Sequence, residues 1–253
     1  MRFASLGSGS EGNALVVERG RTRLLVDCGF GLADACRRLA RLAVAPDDLS
    51  AILVTHEHGD HLGGVARLAL KYGVPVWVSH GTLSQWQAER LPQVEVFDSH
   101  SSFAIEELQV HPYPVPHDAR EPAQFVFSDG ARRLGLLTDA GSVTAHMVDM
   151  LSGLDALVLE CNHDAAMLAG GPYPPFLKQR VGGAYGHLEN GQAEDLLRRV
   201  DQSRLQHVAA AHLSATNNTP ELACAALARA LGCAQDWVAA ARQDSGLSWR
   251  SIQ

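Results

Sequence analysis

Residues 50–61, SAILVTHEHGDH, constrain the fold more than any other stretch. The run Ala51-Ile52-Leu53-Val54 shows no polar alternation, so the strand it predicts is covered on both faces. It stops at Thr55, and three imidazoles and two carboxylates follow within the seven positions 55–61. Such a cluster at the end of a buried strand belongs at the edge of a layered sheet, where side chains from several strand ends converge. His56 and His58 flank Glu57 in extended backbone, so both imidazoles project to one side and Glu57 to the other, as a support. Gly59 is expected to turn the chain sharply, bringing Asp60 and His61 back to the same space. Imidazole suits Zn, Fe and Ni, and carboxylate adds affinity for Mn. The stretch is therefore expected to bind metal.

The rest of the chain reads as strands and helices around that edge. RFASL, ALVVE and TRLLVDC form a meander, followed by a helix over LADACRRLARL with apolar residues at helical spacing. HLGGVARLALKYG reads as a helix ended by Gly73, VPVWVS as a strand, 81–90 as a helix and 93–98 as a strand. LQVHPYPV and AQFVFSDGARRLGLLTD are strands, with Asp129-Gly130 as a hairpin turn, and DALVLE is another. Segment 164–188 reads as an irregular Gly/Pro-rich loop, long enough to be functional. Helix 189–203, strand 206–211, helix 219–231 and strands in QDWVAAA and GLSWRS finish the chain. The expected fold is α/β (α+β), one domain over 1–253, in four αββα layers. The hairpins imply antiparallel pairing instead of a doubly wound parallel sheet.

A net charge of −7 argues against whole-molecule attraction to nucleic acid but leaves room for a local basic groove. No apolar run approaches the ~18 residues of a membrane span, and the N-terminus has no signal-peptide core. Five cysteines without a CxxC pair fit a reducing, cytoplasmic setting. GSGSEGN, with Ser10 and Asn13, offers backbone N–H groups as an anion nest or serves as a plain tight turn. No Gly-Lys-Ser/Thr follows it, so it is not a nucleotide-binding P-loop.

His56-x-His58-x-Asp60-His61 resembles the metal motif of the metallo-β-lactamase superfamily, whose αββα sandwich matches the layers read above. The resemblance implies two divalent ions. His56, His58 and His117 would hold the first, and Asp60, His61 and His212 the second. Asp139 would bridge them, with Asp27 of LLVDCG supporting the loop behind. Alone, His117, Asp139 or His212 would ordinarily be structural; their order at strand ends gives them weight. SLGSGSEGNALVV, VPHDAREP, LLTDAG, LECNHD, GPYPPFLKQRVGGAYGHLENG and AHLSATNN further resemble the YycJ/WalJ family over nearly the whole chain. Glu189 departs from its pattern, which has a small hydroxyl residue there.

That resemblance implies a cytosolic phosphodiesterase, most specifically a 5′-to-3′ double-stranded DNA exonuclease of DNA repair. A metal-bridging hydroxide would attack phosphorus in line, with Asp60 orienting it and His187 as the acid for the leaving oxygen. His163 is a second candidate acid or substrate contact, and Lys178 and Arg180 are candidate phosphate grips beside Ser10 and Asn13. His80, His100, His111, His146 and His207 are expected to be structural or at the surface. A secreted β-lactamase is disfavoured by Asp in place of Cys at 139. A flavodiiron protein is disfavoured because His58 stands where a carboxylate would, and no flavin domain fits. A thioesterase of the glyoxalase II type, or a metal-loaded regulatory module, remains open. No membrane, flavin or nucleotide partner is expected.

Overall fold

A computed structural model describes residues 1–86, 91 and 93–253. Strands β1 (Arg2–Gly7), β2 (Ala14–Arg19), β3 (Thr22–Val26), β4 (Ala51–Leu53), β5 (Val76–Ser79) and β6 (Val94–Phe97) pair in that order. A second sheet contains β7 (Phe103–Ile105), β8 (Leu108–Pro114), β9 (Ala123–Ser128), β10 (Arg133–Leu137), β11 (Ala156–Glu160), β12 (His207–Ala211) and β13 (Ala239–Ala240). The last strand, β14 (Leu247–Ser251), returns to pair with β1. Each sheet is mixed. The hairpin halves are antiparallel as expected, but β3 to β6 and β10 to β13 run parallel. Helical crossovers, not hairpins, connect those strands, which is what parallel neighbours require.

Alternate residues along each strand feed different cores. Leu15 and Val17 of β2 face the space between the sheets, with Phe3, Phe125, Phe127 and Val158. Ala14 and Val16 face outward onto α1 (Leu32–Arg41) and α3 (Val65–Tyr72), through Leu39 and Leu68. On the far side Leu157 and Leu159 meet Leu196 and Leu227 of α8 (Asn190–Arg199) and α9 (Pro220–Leu231). These three cores make the αββα sandwich, and a fully buried Phe or Leu in them contributes about 1.5–3 kcal/mol.

Several local readings change. The helix expected over 61–73 is two pieces, α2 (Gly59–Leu62) and α3. The helix expected at 81–90 begins as α4 (His80–Gln85), and residues 87–90 lie outside the described residues. A helix α5 (Ala145–Met150), capped by Thr144, was not expected. Segment 164–188 is not an irregular loop. It contains α6 (Ala165–Gly170), capped by the Asp164 side chain, and α7 (Pro175–Val181), with Pro at its first position. All five cysteines are free thiols. No helix among the described residues is long and apolar enough to cross a membrane.

Candidate metal centre

Strand ends build the site. Parallel strands β3, β4, β10 and β12 end at Asp27, the 55–61 motif, Asp139 and His212, and β8 leads to His117. The carboxyl ends of parallel strands are where such folds bind ligands. Asp27, Asp139 and His212 have φ of 61°, 55° and 53°. Left-handed backbone costs a non-glycine residue about 1–2 kcal/mol. Its concentration at these positions marks residues held for their side chains. Gly59, by contrast, has no such φ and opens α2 with space around it, so the turn into Asp60 and His61 is made by the helix. The close approach lies at Gly29, where an added Cβ would overlap the Asp60 carbonyl oxygen.

The His56, His58 and His117 rings stand nearly perpendicular to one another, with centroids 4.6–5.0 Å apart. His117 donates Nδ1–H to the Gly186 carbonyl (2.9 Å), which leaves a lone pair on Nε2 only 3.2 Å from His58 Nδ1. His58 Nδ1–H can donate to that lone pair, or both nitrogens can turn their lone pairs to a cation between them. Thr55 Oγ1 accepts from His56 Nδ1 (3.0 Å) and donates to Asp27 (2.8 Å), freeing His56 Nε2. Asp27 also accepts from Thr55 N–H and His61 Nδ1, both at 2.8 Å, which aims His61 Nε2 into the cluster. His61 and His212 stack in parallel 5.5 Å apart, and Asp60 Oδ2 lies 3.4 Å from Nε2 of each. Asp139 reaches His61 Nε2 (3.1 Å) and His212 Nε2 (3.2 Å).

Electrostatics divide the cluster. Burial, reinforced by the neighbouring His61, holds His56 well below the usual imidazole range, and burial also lowers His117 against the pull of Asp139. Burial opposes charge on His61 and His212 too, but the carboxylates win. Asp139 and Asp27 raise His61 well above its usual range, and Asp139 and Asp60 raise His212 to about 9. Asp60 and Asp139 are both lowered, because His212 and His61 outweigh their burial. His56 and His117 are therefore held toward the neutral form, while around Asp60 and Asp139 the carboxylate charge is offset by His61 and His212. His56 Nε2, Asp139 Oδ2 and His212 Nε2 are buried without a hydrogen-bond partner. Asp139 Oδ2 lies close to His61 but out of line for a hydrogen bond. Each orphaned buried polar atom costs about 1–3 kcal/mol, and a divalent cation is the group that N/O donors so arranged fit. Among the described residues four donor sets have ligand atoms within 4.8 Å of one another: His56, His58 and His117; Asp60, His61 and His212; His56, His61 and Asp139; and Asp139, Glu160, His187 and His212.

Around them lies a cleft of about 350 Å³ reached by Ser10, Asp118, Leu177, Arg180 and His187. His187 contacts the buried Glu160 through Nδ1 at 2.8 Å. Glu160 also accepts the N–H groups of Ala140 and Leu188. Arg180 pairs with Asp118 (2.6 Å), which lies 3.5 Å from His117 Nε2. Glu57 turns away as expected, accepting from Arg120 N–H and the Thr82 hydroxyl. Asn13 is not free for substrate. Its Oδ1 accepts from Ser8 and Gly9, and its Nδ2 faces Gly9 O and Asp60, so it positions the metal loop. Lys178 and His163 line a separate cavity of about 510 Å³ behind α7, with Lys178 Nζ donating to Ala169 O. Glu189 N–H is held by Gln192 at the start of α8 beside that cavity. Sequence reasoning missed Glu160, Asp118 and Asn162, which touches His212 Nδ1 at 3.2 Å. LECNHD had drawn notice without a role for its second and fourth residues, Glu160 and Asn162, although a Glu ending an apolar strand is itself a signal.

Residues 22–208 match the family model described as the Beta-lactamase superfamily domain. A Bacillus anthracis protein named Exodeoxyribonuclease YycJ is 38% identical over 232 residues, 88% of this chain and 86% of that one. Exodeoxyribonuclease WalJ of Streptococcus pneumoniae is 34% identical over 231 residues, 88% of this chain and 85% of that one. YhfI of Bacillus subtilis, a metallo-β-lactamase fold protein, superposes with a TM-score of 0.78 at 15% identity, covering 99% of both chains. Zn²⁺-bound PqqB of Methylobacterium extorquens gives 0.73 at 18%, covering 100% of both. The two solved structures agree with the fold. The chain belongs to the metallo-β-lactamase superfamily. Within it the chain is a YycJ/WalJ-like protein, and its site is that of a metal-dependent hydrolase.

Proposed function

We propose that the chain is a dinuclear phosphodiesterase, a 5′-to-3′ exonuclease of double-stranded DNA that acts in DNA repair. The observation that supports this most is a pair of donor sets with Asp139 between them. His56, His58 and His117 would hold one ion, and Asp60, His61 and His212 the other, while Asp139 shares a set with both His56 and His61. The substrate class follows the two relatives named exodeoxyribonucleases, which match along most of both chains. Five free cysteines fit a reducing cytoplasm.

Bound Zn, Mn, Fe or Ni ions would supply Lewis acidity toward a phosphoryl oxygen and acidify an attacking water. Asp60, facing the same space, orients that water and accepts its proton. Glu160 fixes the His187 ring through Nδ1, and His187 protonates the departing 3′-oxygen. Arg180, held by Asp118, grips a non-bridging phosphate oxygen, with Ser10 on the same cleft. His163 and Lys178 face the other cavity and take no part in this grip.

The test digests linear 5′-phosphorylated duplex DNA with protein of measured metal content. The expected result is loss of nucleotides from the 5′ end, abolished by Asp60→Ala. A metal-loaded protein that cleaves no phosphodiester under Mn or Zn would remove the nuclease reading and favour thioester hydrolysis or a regulatory role.

A further inference from the structure

Phe176 and Tyr185 are 72% and 65% exposed, the two most exposed large apolar side chains among the described residues. Both sit on the segment that walls the metal cleft. Phe176 precedes Leu177, which lines the cleft, and stands one helical turn before Arg180, which also lines it. Tyr185 is pinned at the rim by its backbone: its carbonyl accepts from Asp118 N–H at 2.9 Å, and the next carbonyl, of Gly186, holds His117. A core-forming role does not explain either ring, since burial would have been the favourable outcome.

We propose that Phe176 and Tyr185 form a stacking platform for unpaired nucleobases of the strand whose phosphate enters the cleft. The proposal rests on the phosphodiesterase reading and adds what grips the strand. Charge alone grips it weakly. The chain carries −7 overall, and Arg180 is the one Arg or Lys lining the cleft among the described residues, already paired with Asp118. Beyond the one phosphate that the bound ions and Arg180 would hold, the rest of the strand needs a term that does not depend on net charge. Base–aromatic stacking is such a term, tolerant of sequence because every base has a π-face. A fully paired duplex offers only its terminal faces to two such rings. The platform therefore favours frayed or single-stranded ends.

The experiment measures binding of metal-loaded protein to two phosphorothioate-linked, hydrolysis-resistant single strands, one carrying bases and one abasic, by fluorescence anisotropy. Wild type binds the base-carrying strand about 5–150-fold more tightly per stacked base. Phe176→Ala and Tyr185→Ala each lose that preference, leave abasic binding unchanged and leave the melting temperature within about a degree or two. Tyr185→Phe and Phe176→Trp retain it. Equal binding of the two strands by wild type, or full preference in both alanine variants, overturns the platform. Cleavage of duplex DNA by wild type in that case would leave the nuclease reading standing. Base-dependent binding without any phosphodiester cleavage would remove the nuclease reading alone.

Discussion

Asp27→Asn probes how the second donor set is held. The two Asp27 oxygens receive three donors, Thr55 N–H, Thr55 Oγ1–H and His61 Nδ1–H, each at 2.8 Å. Asparagine keeps one oxygen and places an NH₂ where the other stood. The Thr55 hydroxyl can rotate, but one of the two N–H groups loses its acceptor inside a fully buried site. A stranded buried donor costs about 1–3 kcal/mol. The freed His61 ring no longer aims Nε2 at Asp139, and loss of such a supporting carboxylate typically lowers metal affinity about 10–100-fold. Denaturant unfolding of the metal-free variant reads the first effect, and competition with a chelating dye reads the second. Since metal bound only by the folded state stabilises it, the metal-loaded variant should lose more stability than the metal-free one. Unchanged metal affinity together with unchanged stability would refute the claim that Asp27 orients His61.

Gly29→Ala should abolish soluble folded protein, because its Cβ would overlap the Asp60 backbone, while Gly59→Ala, with nothing within 4 Å, should melt close to wild type; thermal melts decide. Native thiol titration should modify Cys36 and Cys233 first, since burial pushes Cys28 up to about 12 and holds Cys161 well above the thiol range; rapid labelling of Cys28 would contradict this. Burial alone would raise the Glu18 carboxyl, but Arg2 and Arg23, each 2.6 Å away, bring it below the usual value of about 4.5. Its stabilisation is therefore present above about pH 4.5 and lost as pH falls through the lower folded value. Acid titrations should accordingly show the gap between wild type and Glu18→Gln closing as pH drops, and a gap that widens below pH 4.5 would reverse the sign.

The metal-binding stretch was legible because its chemistry is local. Seven consecutive positions carry the His and Asp residues, and an apolar strand before them says where they sit. The αββα layers were legible from hairpin-joined strands alternating with helices along the chain. Parallel pairing within each sheet was not, because a strand's own residues look the same whichever way its neighbour runs. α6 and α7, of 6 and 7 residues, are too short to show a period, although Asp164 and Pro175 signalled their starts. Missing α7 had a direct cost. On a helix, Leu177, Arg180 and Val181 share the face toward the metals, whereas Lys178 and Gly182 face the other cavity. Reading 164–188 as a loop gave Lys178 and Arg180 the same role. Glu160 escaped notice because its partner His187 is 27 positions away.

The central claim is that two ions share one centre through Asp139. Metal content per folded chain, by mass spectrometry on protein loaded with Zn or Mn and then dialysed, tests it most directly. The account predicts two ions per chain in wild type and loss of occupancy at both positions in Asp139→Ala. A single ion per wild-type chain, unaffected by Asp139→Ala, would contradict it.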